Sequence, residues 1–182
     1  MNIRIITLLL SFLNTGVFCM DNSPLKQIRN EGHEDIYPMP IFITLTVDNA
    51  QVSADWYNKA LNFRTIFALN DPITNELNFA HLRRKKYQDI LLVKGITDKT
   101  KNTQGIIVTF QAWEDIDVLT NHAKENGTLV MVEPHDTLWN TRDVTFQDLD
   151  GYVINFTYPG KAMIQEMLET DPQVLHSETW EK

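Results

Sequence analysis

The amino-acid sequence predicts an α+β fold: tandem βαβββ modules that form a curled mixed sheet around a cleft, followed by a helical C-terminal extension. Short segments in which apolar and polar residues alternate are typical of half-buried strands, and two segments with helical periodicity interrupt them. The order of one strand, one helix and three strands occurs twice. The second copy aligns with the first at an offset of 65 residues, which pairs Asn62 with Gly127 just after the two helices.

The first module, residues 41–94, starts with the strand IFITLTV, whose alternate residues form two faces. We expect the apolar face to pack under the helix, and the cleft face to consist of Phe42, Thr44 and Thr46. Asn49 can cap a helix over residues 50–61. The core-facing stripe of this helix is predicted to be Val52, Trp56, Tyr57 and Ala60. Three strands are predicted next, at residues 63–69, 77–83 and 90–93.

The second module, residues 104–159, repeats this pattern. The predicted elements are a strand at 105–112, a helix at 114–126, a strand at 128–132 closed by Glu133-Pro134, and a hairpin of strands 142–147 and 152–158. Asp148 and Asp150 are interpreted as residues of the tight hairpin turn, beside Gly151. The cleft face of this module is predicted to carry Ile107, Thr109 and Gln111 on its first strand and Asn155 on its last.

Residues 1–19 have the pattern of a secretory signal peptide, with Arg4 before an apolar run and Val17 and Cys19 at the −3 and −1 positions of a cleavage site. This predicts an exported protein, periplasmic or secreted, with no membrane attachment after the signal is removed. The alternative is translation from Met20, which would leave the protein cytoplasmic. Residues 20–40 are predicted to be a polar arm, and residues 160–182 a tail that begins with a helix at 161–170.

Composition excludes several classes of function. The formal net charge is −8 and the pI is near 5, so a nucleic-acid partner is not expected and a cationic ligand is favoured. The single cysteine, Cys19, excludes an internal disulfide, a thiolate zinc cluster and a CxxC redox pair.

The paired βαβββ units, the Trp56-Tyr57 pair followed by KALNF, and the turn D-x-D-G-x-x-x-x-F at 148–156 together resemble the vicinal oxygen chelate superfamily. This group contains glyoxalase I, extradiol dioxygenases and bleomycin resistance proteins, and the resemblance covers residues 41–159. It implies a sheet curled around a cleft and, in the metal enzymes, His, Gln or Glu on the first and last strands of each unit. The corresponding positions here are Phe42, Leu91, Ile107 and Asn155. Because three of them have no donor atom, we expect no bound metal and no cofactor.

The resemblance is closest to the metal-free bleomycin-resistance-like members, which implies sequestration of an aromatic or cationic small molecule in the cleft, and a homodimer whose chains share the cleft walls. Trp139 and Arg142 lie where resistance-type members carry a Trp-Gly-x-Arg-like segment, with Asn140 in place of the glycine. No catalytic residue is assigned. The predicted ligand-binding residues are Phe42, Thr44, Phe79, Ile107, Thr109, Trp113, Trp139, Arg142 and Asn155.

Two alternatives remain open. One is a metal-dependent lyase, isomerase or dioxygenase of the same superfamily, with the metal held by His81, His135 and Glu133. The other is a non-catalytic interaction domain whose cleft is filled. His81 also qualifies as a hydrogen-bonding or general-base group of the cleft, but the sequence shows no adjacent partner for it.

Overall fold

The computed structural model describes residues 39–102 and 104–171. The predicted signal peptide, nearly all of the polar arm and the tail beyond residue 171 lie outside the described residues. The described strands are β1 Ile43–Val47, β2 Arg64–Asn70, β3 Leu77–Arg83, β4 Asp89–Lys94, β5 Ile107–Gln111, β6 Leu129–Asp136, β7 Thr141–Gln147 and β8 Val153–Pro159. The described helices are α1 Ala50–Leu61, α2 Lys99–Asn102, α3 Ile116–Glu125 and α4 Lys161–Thr170. Over these residues, no helix has the length and apolar character needed to cross a membrane.

The strands form two four-stranded mixed sheets with the same topology, β1-β4-β3-β2 and β5-β8-β7-β6. In each sheet the first and last strands of the module are parallel neighbours, and the other neighbouring pairs are antiparallel. The predicted tandem βαβββ architecture is therefore confirmed. The two sheets remain separate and do not close into a barrel.

Alternation along the strands places one face of each sheet in the core. Leu45 and Val47 in β1 are buried while Thr44 and Thr46 are exposed, as the pattern predicts. A single apolar cluster joins the two modules through edge-to-face rings, because Phe63 lies 5.5 Å from Tyr57 and 5.4 Å from Phe110 between ring centroids. The two modules thus share one core.

The helix α1 begins after Asn49, whose side chain accepts a hydrogen bond from the Val52 amide at 3.0 Å. The prediction for its buried stripe was wrong at Val52, which is 52% exposed. Ser53 is buried in its place because its hydroxyl donates a 2.7 Å hydrogen bond to Asp150 Oδ2 of the other module. A specific hydrogen bond thus places a polar residue where periodicity favours an apolar one.

The β7–β8 turn connects the modules. The Tyr57 hydroxyl donates to Asp148 Oδ2 at 2.7 Å, and Asp148 Oδ1 accepts from the backbone amides of Asp150 and Tyr152. Gly151 has φ +88, and a Cβ there would lie 2.5 Å from the Lys99 carbonyl oxygen, so the turn requires glycine. The two aspartates form the turn, as predicted, and also hold it against α1.

Two further boundaries differ from the prediction. The strand β6 continues through Glu133-Pro134 to Asp136, because it is an edge strand with register shifts, where proline is tolerated. The helix α3 starts at Ile116, since Asp115 caps it by accepting from the amides of Asp117 and Val118. The helix α4 has the predicted bounds, but none of its residues is fully buried.

Candidate functional site

Each sheet has one face that turns away from the shared core, and we call these the first and second open faces. The first open face is mainly apolar. One row across the four strands consists of Thr44, Leu91, His81 and Phe67. The adjacent row consists of Thr46, Val93, Phe79 and Leu69. Phe67 and Phe79 lie 6.1 Å apart between ring centroids, so this face offers aromatic surface.

A charged cluster lies at one end of this face. His81 Nε2 is 2.7 Å from Asp89 Oδ1, and Arg83 Nε donates to the same oxygen at 2.7 Å. The Asp89 side chain is fully buried and that of Arg83 is 3% exposed, while His81 keeps 14% exposure. The carboxylate of this face therefore has a cationic partner.

The second open face is mainly polar. One row consists of Thr109, Asn155, Thr145 and Val132. The adjacent row consists of Gln111, Thr157, Asp143 and His135. Three hydroxyl-bearing residues, two amides and one carboxylate therefore lie on four neighbouring strands.

Asp143 is the centre of the hydrogen-bond network on this face. Its Oδ1 accepts from the hydroxyls of Thr157 at 2.6 Å and Thr141 at 2.7 Å, and its Oδ2 accepts from Asn155 Nδ2 at 3.3 Å. The side-chain oxygen of Asn155, Oδ1, accepts in turn from the Thr145 hydroxyl at 3.1 Å. Asp143 is 8% exposed. Among the described residues, its carboxylate has only these neutral donors and no cationic partner.

The structure brings most of the predicted site residues to the open faces. Thr44 and Phe79 are on the first face, Ile107, Thr109 and Asn155 are on the second, and Phe42 precedes β1 with the same parity as Thr44. Trp113 follows β5 with the parity of Gln111 and is half-buried.

Trp139 lies in the β6–β7 turn and is 67% exposed. Asn140, in the place of the glycine in the resistance-type segment, has φ +63, a left-handed conformation that asparagine tolerates better than most residues. The substitution of asparagine therefore preserves the turn.

Arg142 does not join these residues. Its guanidinium donates to both carboxylate oxygens of Asp117 on α3, at 2.9 Å each, and to Asp136 at 3.0 Å. These hydrogen bonds, first that to Asp117, raise the pKa of Arg142. The side chain lies on the helix side of the sheet, with the parity of Val144 and Phe146, because β7 alternates strictly over these residues.

Sequence reasoning named His81 as a candidate base of the cleft without a partner, and it did not single out Asp143 as a binding residue. The parity of β3 and β7 could have placed His81 and Asp143 on the open faces, beside Phe79 and Thr145. It could not show that His81 has Asp89 as its partner, or that Asp143 has no cation, because both facts depend on which strands are neighbours.

The residues at the family's metal-ligand positions do not fit a divalent metal. Phe42, Leu91 and Ile107 present hydrocarbon only, and the Asn155 amide is engaged with Thr145 and Asp143. Within the described part of the chain, no group of three or more His, Cys, Asp or Glu could hold a metal ion. The alternative ligand set of His81, His135 and Glu133 is not assembled either. His81 lies in the first sheet, and Glu133 of the second sheet pairs with Lys124 at 2.8 Å.

The comparisons with known proteins agree with this architecture. A family model described as the Glyoxalase/Bleomycin resistance protein/Dioxygenase superfamily matches residues 41–156. No curated protein matches the chain.

Solved structures share the fold at low sequence identity. TioX from Micromonospora sp. ML1 is 19% identical with a TM-score of 0.53, covering 65% of this chain and 97% of its own. A mutant of the fosfomycin resistance protein FosX from Listeria monocytogenes, solved with Mn(II) and a dihydroxypropylphosphonic acid, is 16% identical with a TM-score of 0.53, covering 68% and 93%. A glyoxalase-related enzyme from Clostridium phytofermentans is 16% identical with a TM-score of 0.53, covering 69% and 98%. These likenesses concern the fold alone.

Proposed function

Because the chain belongs to the glyoxalase/bleomycin resistance protein/dioxygenase superfamily, we propose that it binds a small organic cation with an aromatic body at its open sheet faces, without a metal ion. The observation that carries this proposal is the carboxylate of Asp143. It is held on an open face by three neutral donors and has no cationic partner among the described residues.

The side chain of Asp143 accepts three hydrogen bonds, from the side chains of Thr141, Asn155 and Thr157. These donors are neutral, so they hold the carboxylate in place without balancing its negative charge, which can attract an opposite charge. The net charge of −8 adds a long-range attraction for cations.

Aromatic residues supply the apolar part of the proposed site. Phe67 and Phe79 pair on the first open face, Phe42 is 47% exposed, and Trp139 is 67% exposed. Gln111 of β5 lies in the same row as Asp143, and Trp113 follows this strand two residues later. Flat rings of this kind bind an aromatic body by stacking and attract a cationic group through the ring face.

The metal-free part of the proposal follows from the donor set. Phe42, Leu91 and Ile107 cannot coordinate a metal, and the Asn155 amide is already hydrogen-bonded. Stoichiometric zinc, nickel, iron or manganese in the purified protein, removed by EDTA together with ligand binding, would contradict it.

We extend the proposal to a homodimer in which each chain covers part of the other's open faces. Ile41, Phe42, Ile106 and Ile107, at the starts of β1 and β5, are 72%, 47%, 68% and 63% exposed. Burying such side chains stabilises an assembly by roughly 25 cal/mol per Å² of apolar area. Light scattering should report twice the chain mass, and Ile107→Asp should shift the protein toward a monomer.

The binding experiment uses two probes of one shape and opposite charge. Tyramine and 3-(4-hydroxyphenyl)propionate share a phenol and a two-carbon chain, and they end in an ammonium and a carboxylate group. Calorimetric titration of the full chain should give at least tenfold tighter binding of tyramine, about 1.4 kcal/mol. Asp143→Asn should remove this preference, and Asp136→Asn, an exposed carboxylate that pairs with Arg142, is the matched control. Equal binding of the two probes, or an unchanged preference in Asp143→Asn, would reject the proposal.

A further inference from the structure

The cluster of His81, Asp89 and Arg83 leaves one hydrogen-bond acceptor on the first open face without a described partner. His81 Nε2 lies 2.7 Å from Asp89 Oδ1, and Arg83 Nε donates to the same oxygen at 2.7 Å. An ionised carboxylate can only accept hydrogen bonds, so Nε2 carries the hydrogen and the neutral ring has its lone pair on Nδ1. No described residue hydrogen-bonds to this nitrogen.

The orientation of this acceptor is fixed from below. The Asp89 side chain is fully buried and that of Arg83 is 3% exposed, while His81 keeps 14% exposure. The imidazole and the carboxylate belong to the paired strands β3 and β4, so the ring cannot turn over without giving up its hydrogen bond to a buried charge. The Nδ1 lone pair is therefore preorganised to accept a hydrogen bond.

The side chains around the ring are apolar and aromatic. The cross-strand neighbours of His81 on the two flanking strands are Leu91 and Phe67, and the adjacent row contributes Val93 and Phe79. Phe67 is 41% exposed, and its ring centroid lies 6.1 Å from that of Phe79. Flat rings of this kind stack with an aromatic body. One fixed acceptor beside such a surface matches an aromatic molecule whose polar group is a hydrogen-bond donor.

We propose that the first open face binds an uncharged aromatic molecule that donates one hydrogen bond, from an N–H or O–H group, to His81 Nδ1, with Asp89 as the positioning residue. A molecule of the same shape without the donor leaves the lone pair unpaired when it displaces water, so it binds more weakly. This inference goes beyond the proposed function, because the ligand carries no charge and its polar group is bound by His81 instead of Asp143.

Two isomers test the donor requirement. 3-Methylindole and 1-methylindole have the same formula and nearly the same shape, but only the first has an N–H group. In titrations of the full chain followed by NMR chemical shifts, 3-methylindole should bind about fivefold more tightly or better. His81→Phe keeps an aromatic ring without the acceptor and should bring the ratio of the two affinities to about one. His122→Phe is the matched control and should keep the ratio, since His122 is on α3 and contacts the Lys59 carbonyl.

A second measurement decides the matter on the wild-type chain if His81→Phe does not fold. Nitrogen-15 NMR at about pH 8.5, where an ordinary imidazole is neutral, should show hydrogen on Nε2 of His81. The Nδ1 signal should shift with 3-methylindole and stay in place with 1-methylindole.

An Nδ1–H tautomer, a doubly protonated ring at that pH, equal affinity for the two isomers, or an unchanged ratio in folded His81→Phe would each overturn this inference. Absence of the tyramine preference with the indole preference retained would reject the proposed function and leave this inference in place.

Discussion

The two open faces have the same strand order and different chemistry. On the first, the buried carboxylate of Asp89 is paired with Arg83 and His81 among apolar side chains. On the second, the carboxylate of Asp143 is surrounded by two threonine hydroxyls and one amide. The repeated fold thus positions side chains equivalently, while the residues on each face decide whether a carboxylate is paired with a cation or held by neutral donors alone.

The largest expected effect distinguishes the two carboxylates by stability. Asp89→Ala would leave the buried Arg83 guanidinium without this partner, which should lower the free energy of unfolding by about 3–5 kcal/mol. Asp143→Asn should lower the free energy of unfolding by about 1 kcal/mol or less, because its hydrogen-bond partners are neutral and most of them still find an acceptor in the asparagine side chain. Urea denaturation followed by circular dichroism measures both, and equal costs would contradict the contrast between the faces.

The contact between the modules should make stability depend on pH. Burial raises the pKa of Asp148 to about 6, and the charge of Asp150 also raises it, while hydrogen bonds from Tyr57 and Tyr152 lower it. The folded state therefore binds this proton more tightly than the unfolded state, so this group's contribution falls as pH rises from about 4 to about 6. The loss is on the order of 2–3 kcal/mol.

Asp148→Asn removes this titration and can keep the turn, since the amide oxygen still accepts from the Asp150 and Tyr152 backbone. Compared with the variant, the wild-type protein should lose stability between pH 4.5 and pH 7 in urea titrations, on the order of the 2–3 kcal/mol implied by the shift. A constant difference between the two proteins over this range would show that Asp148 does not titrate there.

A smaller effect concerns the hydrogen bond that holds the second module's turn on α1. Tyr57→Phe should lower the free energy of unfolding by about 1–3 kcal/mol, because the buried Asp148 carboxylate loses a donor. It should also raise the pKa of Asp148 further, since the Tyr57 hydrogen bond lowers it. The control is Tyr158→Phe, a half-buried tyrosine whose hydroxyl has no described partner. Similar losses in both variants would mean that the contact with Asp148 contributes little.

The smallest expected effect on stability belongs to the exposed aromatic residues. Phe42→Ala and Trp139→Ala should each change the free energy of unfolding by less than about 1 kcal/mol, because these rings are about half or more exposed. Each should weaken tyramine binding about tenfold if it contacts the ligand. Phe156→Ala, in the core, should instead cost about 3–5 kcal/mol. A large loss of stability in Phe42→Ala would place that ring in the core.

Much of the fold was predictable because its signals are local. The bounds of β3 and α4 and the inner and outer faces of β1 follow directly from periodicity. The predicted buried stripe of α1 was wrong at Val52, because a hydrogen bond to Asp150 of the other module buries Ser53 instead. Arg142 shows the same limit, since its orientation depends on Asp117 of α3.

The sequence by itself determined the repeated architecture, the family, and the hydrocarbon character of the family's metal-ligand positions, because each depends on residue type and spacing along the chain. Only the tertiary structure decided that Asp89 is paired with His81 and Arg83 and that Asp143 has neutral partners alone. The physical reason is that alternation assigns a residue to a face of its strand, whereas its electrostatic environment is set by side chains on neighbouring strands.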